Sequence, residues 1–152
     1  MKIRPITICL ITHQDRMLVF EGHKDDGSVY YRPLGGGIEF GEKAVDAAVR
    51  EVEEELCITP HAPEEMGILR FAFVDGLHLH CTVFRSEDFD GDPTETREAK
   101  PEWFDLEAIP YERMWEDDIH WLPRMLGGEK FAGRFAFDDD KMLSMEVEFA
   151  GD

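Results

Sequence analysis

The chain predicts a mixed α/β fold, and three observations carry that expectation. Short runs of alternating apolar residues, punctuated by turn residues, recur from one end of the sequence to the other, as in strands joined by hairpins. One internal stretch abandons that alternation. Val45, Ala48, Val49, Val52 and Leu56 fall on a single stripe at about 100° per residue, the buried face of a helix. The length, 152 residues, suits one domain over residues 1–152 with a core of its own.

In chain order, Ile3–Ile11 and Arg16–Glu21 read as strands around a polar turn at His13-Gln14-Asp15. Glu21–Val29 is a loop, and a short strand follows at Tyr30–Leu34. A glycine-rich loop leads into the helix, which Thr59-Pro60 stops. Met66–Val74 and Leu77–Arg85 flank Asp75-Gly76, a two-residue hairpin signal because both positions favour φ > 0. Ser86–Thr96 is a polar loop, and Pro101–Phe104 reads as a short strand. Tyr111–Leu126 is partly helical, with Asp117 or Asp118 as N-cap and Gly127-Gly128 closing it. Phe131, Gly133, Phe135 and Phe137 alternate, as do Leu143, Met145, Val147 and Phe149. With Asp138-Asp139-Asp140 between them, the two runs form a terminal hairpin.

Composition narrows the function. Hydrophobic content of 43% with 11 Phe and 3 Trp indicates a globular core. No run approaches the roughly 20 apolar residues of a membrane span, and the N-terminus lacks the pattern of a signal peptide. Three cysteines, Cys9, Cys57 and Cys81, are too few and too scattered for a disulfide framework and point to the reducing cytoplasm. A formal charge of −18 opposes binding of a nucleic acid polymer. It also opposes a free nucleoside triphosphate unless divalent cations reverse the local field. The sequence carries no signal of oligomeric state.

The chemistry is concentrated at the end of the first helix. Glu51, Glu54 and Glu55 stand at i, i+3 and i+4, so that their carboxylates are neighbours and each like-charge pair costs about 0.2–0.5 kcal/mol. They also occupy the last turns, where the helix dipole disfavours negative charge. A sequence shaped only by stability avoids that arrangement. Clustered hard oxygen ligands are what Mg²⁺ or Mn²⁺ requires. The plainer alternative is a solvated acidic face.

Gly36, Glu42, Arg50-Glu51-Val52, Glu54-Glu55 and Ile58 resemble the Nudix box, G-x5-E-x7-R-E-U-x-E-E-x-G-U with U aliphatic, and depart from it at one defined position, where Cys57 replaces glycine. The resemblance implies an α/β/α sandwich and metal-dependent hydrolysis of a nucleoside diphosphate linked to a further group. It implies that Glu51, Glu54 and Glu55 bind the metal, with the Gly35 carbonyl, and that Arg50 orients the glutamates. Glu42, near the first turn, would serve chiefly as a capping carboxylate. Cys57 would either hold a left-handed helix end that glycine tolerates more readily or end the helix differently.

Beyond the box, Pro101-Glu102-Trp103-Phe104, Met114-Trp115, Asp117-Asp118, Trp121 and Phe-x-Gly-x-Phe-x-Phe at Phe131–Phe137 are similar to the C-terminal half of the MutT-type oxidised-purine nucleoside triphosphatases. That likeness implies release of a nucleoside monophosphate and pyrophosphate, with Glu98 as a further metal ligand or general base. Asp117 and Asp118 would read the purine edge, because adjacent acids among apolar residues hold one carboxyl protonated and able to donate. Helix capping is their alternative role. Trp115 would stack on the base or belong to the core, and Phe71 would form core or pocket wall. Arg32 stands where relatives carry an asparagine that touches the base. Arginine cannot accept a hydrogen bond, so it reads the base differently or binds phosphate. Other nucleotide substrates, or a module that binds a nucleotide without cleaving it, remain open from sequence. His78 and His80 share a strand face with Cys81 on the other, which makes them a surface pair rather than a zinc site.

Overall fold

The computed structural model describes residues 2–97 and 100–152. Among them a mixed nine-stranded sheet is flanked by two α-helices. Strand β1 (Lys2–His13) is its organiser. It pairs in parallel with β7 (Leu77–Ser86) and antiparallel with β2 (Arg16–His23) and β4 (Leu34–Gly37). The β1–β2 hairpin turns on Gln14 and Asp15, both at positive φ (50° and 62°), the conformation a two-residue hairpin needs.

The apolar run within β1 is buried on both sides because its residues divide by parity. Cys9 and Ile11 face one core with Ala48, Val52 and Leu56 of helix α1 (Ala44–Leu56). Leu10 faces the other, with Trp121, Leu122 and Met125 of helix α2 (Asp118–Leu126). One helix therefore covers each face of the sheet. The remaining strands are β3 (Val29–Arg32), β5 (Thr59–Pro60), β6 (Glu64–Phe73), β8 (Phe89–Asp90), β9 (Lys100–Asp105), β10 (Phe131–Asp138) and β11 (Lys141–Phe149). The long path runs β11-β10-β6-β7-β1-β2-β3, while β5 and β8 form a separate two-stranded ribbon.

Four local expectations are corrected. Tyr30–Leu34 is not one strand, since Pro33 has no N–H for the ladder and the chain changes partner there. β3 pairs with β2, and β4 with β1. The β6–β7 loop is longer than a two-residue turn: Gly76 has φ +98°, while Asp75 lacks a positive φ and accepts the Leu77 N–H at 3.0 Å. The alternation expected in β11 is shifted by a bulge at Ala136/Phe137, so that Met142 pairs with Phe137 and Leu143 is left 54% exposed. The buried stripe of α1 is also rotated, with Ala47 and Glu55 fully buried and Val45 and Val49 only partly so.

Candidate active site

Two glycines let β4 pack closely on both neighbours, Gly35 on β1 and Gly36 on α1. A Cβ at Gly35 would collide with the Thr7 carbonyl oxygen, and one at Gly36 would collide with the Glu51 carboxylate. Without side chains there, α1 seats directly on β4, and carboxylates on its inner face reach the strand backbone. The Glu55 side chain is 4% exposed, accepts the Gly35 N–H at 2.9 Å and lies 3.5 Å from Arg32 Nη2. Burial of a carboxylate demands partners of this kind. Arg32 itself is stacked over the Phe20 ring at 4.2 Å from its centroid.

Arg50 gathers the outer carboxylates. Its guanidinium grips Glu42 through Nε (2.8 Å) and Nη2 (2.9 Å) and donates to the Gly37 carbonyl (3.0 Å). Nη1 reaches Glu51 at 3.0 Å and Glu54 at 3.4 Å. This fork holds the Glu42 carboxyl down at about 2. Glu42 is therefore the partner of Arg50 rather than a cap: it precedes α1, and its other contact is the Glu39 N–H at 3.1 Å. Glu51 is largely enclosed and Glu54 half-exposed, with side-chain exposures of 18% and 52%. Among the described residues no three carboxylates converge closely enough to hold an ion as they stand, because Arg50 occupies the space between Glu51 and Glu54.

Of the two helix ends open to Cys57, the fold takes the left-handed one. Cys57 has φ 62° and ψ 30°, left-handed, and its N–H bonds to the Glu53 carbonyl at 3.0 Å. The Thr94 N–H and the Thr96 hydroxyl then take the carbonyls of Leu56 (2.9 Å) and Glu55 (2.8 Å), so the 91–97 segment closes the last turn.

On the α2 side of β4, a cavity of about 240 Å³ runs from Gly35 and Gly36 to Asp117 and Asp118, with Arg32, Phe71 and Trp115 in its wall. Phe71 stacks on Phe135 at 5.7 Å, and Trp115 stands edge-on to Phe137 at 5.3 Å. Both acids are buried. Asp117 occupies the N-cap position yet caps nothing with its side chain, which accepts the Trp121 indole N–H at 2.9 Å. Burial raises its carboxyl, and that indole bond opposes the rise. Asp118 is pushed well up, by burial first and then by the charge of Asp117. Both carboxyls are thus held above the ordinary Asp range, Asp118 further than Asp117.

A larger hollow of about 730 Å³ lies beyond Trp115, between Lys24, Tyr30 and Arg113. No residue of α1 or β4 lines it, so the smaller cavity is the one tied to the carboxylates.

The structure thus lines one cavity with Arg32, Gly35, Phe71, Trp115, Asp117 and Asp118, sets Glu51 and Glu55 against β4 from the α1 side, and leaves Glu54 half-exposed beside Arg50. Glu98 lies outside the described residues. The cavity also uses Ile6, Thr7, Ile8 and Leu79, which no local motif marks. Only the pairing of β1 with β4 and β7 brings them there. The two strand histidines remain half-buried and Cys81 is buried.

A carboxylate helix seated on a glycine strand, beside an acid-floored cavity, is the arrangement of a nucleotide hydrolase site. The chain belongs to the NUDIX family, whose domain model matches residues 1–125. It is 34% identical over 139 residues to the oxidized purine nucleoside triphosphate hydrolase of Danio rerio, spanning 91% of this chain and 89% of that protein. The mouse protein of the same name is also 34% identical, over 146 residues, covering 95% of this chain and 94% of the relative. Among solved structures, a MutT protein from Bacillus halodurans superposes with a TM-score of 0.83 at 24% identity, over 95% of this chain and 97% of that one. No helix among the described residues is long and apolar enough to cross a membrane.

Proposed function

We propose that this chain, acting as a single domain, hydrolyses oxidised purine nucleoside triphosphates such as 8-oxo-dGTP to the monophosphate and pyrophosphate, with Mg²⁺ or Mn²⁺ as cofactor and the cytoplasm as its place of action. One observation carries the reading. A single cavity of about 240 Å³ runs from the glycine strand, against which Glu51 and Glu55 pack, to the buried acid pair. The names of the vertebrate relatives point the same way.

The chemistry of these side chains, though not their present spacing, suits a hard divalent ion. The donor set is all oxygen, Gly36 leaves the Glu51 carboxylate room at the strand, and Glu55 is held ready by the Gly35 N–H. Glu51, Glu54, Glu55, the Gly35 carbonyl and Glu98 would hold it. When bound, the ion neutralises phosphate oxygens and lowers the pKa of an attacking water. The chain's own residues supply the rest. Arg50, anchored by Glu42 and Gly37, fixes Glu51 and Glu54. Protonated Asp118 donates to an acceptor on the purine edge, while Asp117, pinned by Trp121, accepts from a ring N–H or amino group. Trp115 and Phe71 enclose the base, and Arg32 extends a cation from Glu55 toward the cavity.

The test is pyrophosphate release across a panel of oxidised and ordinary nucleotides, with and without Mg²⁺. Release from 8-oxo-dGTP at higher kcat/KM than from dGTP supports the reading. No release from any nucleotide would leave a binding module, and preference for ordinary nucleotides would refute the substrate.

A further inference from the structure

One half of the sheet carries, on the side that α1 covers elsewhere, a face that the proposed site does not use. Helix α1 packs over β1 and β4, so the corresponding face of β6, β10 and β11 carries no helix. Three consecutive pairings place one row of side chains across it: His80 opposite Arg70, Arg70 opposite Arg134, and Arg134 opposite Glu146. The neighbouring row is His78, Ala72, Ala136 and Ser144. Residues one position along, Leu69, Phe71 and Phe135, point the other way into the core.

Two arginines directly across adjacent strands destabilise a sheet by like-charge repulsion. The chain has 34 acidic residues against 16 basic ones, so acidic neighbours are plentiful. Yet among the described residues neither Arg70 nor Arg134 makes an ion pair or a side-chain hydrogen bond, and Glu146 does not close on Arg134. Both guanidinium groups rim the same two hollows. The larger, of about 530 Å³, has a floor lowered by Ala72 and Ala136 and sides carrying His78, His80 and Ser144. Glu146 is its only carboxylate among the described residues.

We propose that this face is a second anion site, taking a small phosphorylated molecule on the Arg70–Arg134 pair. Strand neighbours lie about 4.8 Å apart, a spacing at which two planar guanidinium forks can grip the oxygens of one phosphate group. The imidazoles and the Ser144 hydroxyl supply further donors along the hollow. A small ligand fits better than a polymer. Glu146 and Glu148 bound the row on the β11 side, and the net charge of −18 repels any long anion that overruns it.

The experiment is calorimetric titration of the full chain with pyrophosphate and with inorganic phosphate, at low ionic strength and in EDTA so that no metal recruits either to the carboxylate helix. Wild type should show one saturable site. Arg70→Gln or Arg134→Gln should weaken it at least tenfold and the double variant abolish it, with nucleotide hydrolysis in Mg²⁺ and the urea midpoint unchanged. Retention of the site in Glu54→Gln would separate it from the proposed active site. No saturable binding by wild type, or equal binding by the double variant, overturns the proposal. So does tight binding of a single-stranded oligonucleotide without pyrophosphate binding. A fall in sedimentation coefficient in the double variant would likewise overturn it, by assigning the arginines to a contact between copies of the chain.

Discussion

Replacing Asp118 by Asn tests the central electrostatic feature of the cavity without touching the carboxylate helix. Burial and the neighbouring Asp117 both raise the Asp118 carboxyl. The folded state therefore keeps a proton that the unfolded chain releases above about pH 3.9, the ordinary value for Asp. The sign follows by linkage. Asp118 costs nothing below that pH, and it subtracts stability increasingly as pH climbs toward the raised value. Each unit of separation corresponds to about 1.4 kcal/mol. At pH 7 the cost cannot exceed about 4 kcal/mol, because a carboxyl that stays protonated in the fold loses only the roughly three units between pH 3.9 and pH 7. Asparagine has the shape of the neutral acid and does not titrate. Asp118→Asn should match wild type near pH 4 and exceed it increasingly as pH rises to 7, within that bound. Urea melts of both proteins from pH 4 to pH 8 at constant ionic strength read the difference directly, provided the m-values agree. A gap that is constant across that range, or that favours wild type more as pH rises, would refute the protonated-donor reading.

Asp117→Asn should lower kcat/KM for 8-oxo-dGTP by about 10- to 150-fold, the loss of one good buried hydrogen bond of about 1.5–3 kcal/mol, with little effect on a pyrimidine triphosphate; equal losses for every nucleotide would remove the acid pair from base recognition. Glu54→Gln should cut turnover by orders of magnitude with little change in the urea midpoint, since Glu54 is half-exposed and exposed ion pairs contribute little; full Mg²⁺-dependent activity sinks its role. Glu55→Gln should also destabilise the fold, by about 1–3 kcal/mol, because this carboxylate is buried against Gly35 N–H and Arg32. Unchanged stability would mean that those contacts do not form in solution. Cys57→Gly should be neutral to stabilising by up to about 1 kcal/mol, as relief of the left-handed strain offsets the added freedom of the unfolded chain. Cys57→Ala, which keeps the Cβ, should stay near wild type, and a marked loss in the glycine variant would show that the thiol packs.

Periodicity was enough to read most of the elements, because strand and helix spacing are local. It failed where a neighbour strand intervened. Pro33 splits an apparent strand by removing one donor, a fact written in the sequence but decisive only once β2 and β1 compete for the two halves. The bulge that leaves Leu143 exposed has no local mark at all. The glutamate cluster was legible as chemistry, but as a stack of equivalent acids, whereas the fold gives each a separate environment.

The sequence by itself determined the carboxylate helix, the adjacent acids and the family, since each depends on residue types at fixed short spacing. Tertiary structure alone decided which glutamate is buried, which is gripped by Arg50 and which meets solvent. It decided that Asp117 answers an indole rather than a helix N-terminus. It also joined Gly35 to Asp118 through one cavity and set Arg70 against Arg134. The physical reason is the same in every case. Burial and partner choice depend on which distant strands lie side by side, and strand pairing joins residues that no local spacing connects.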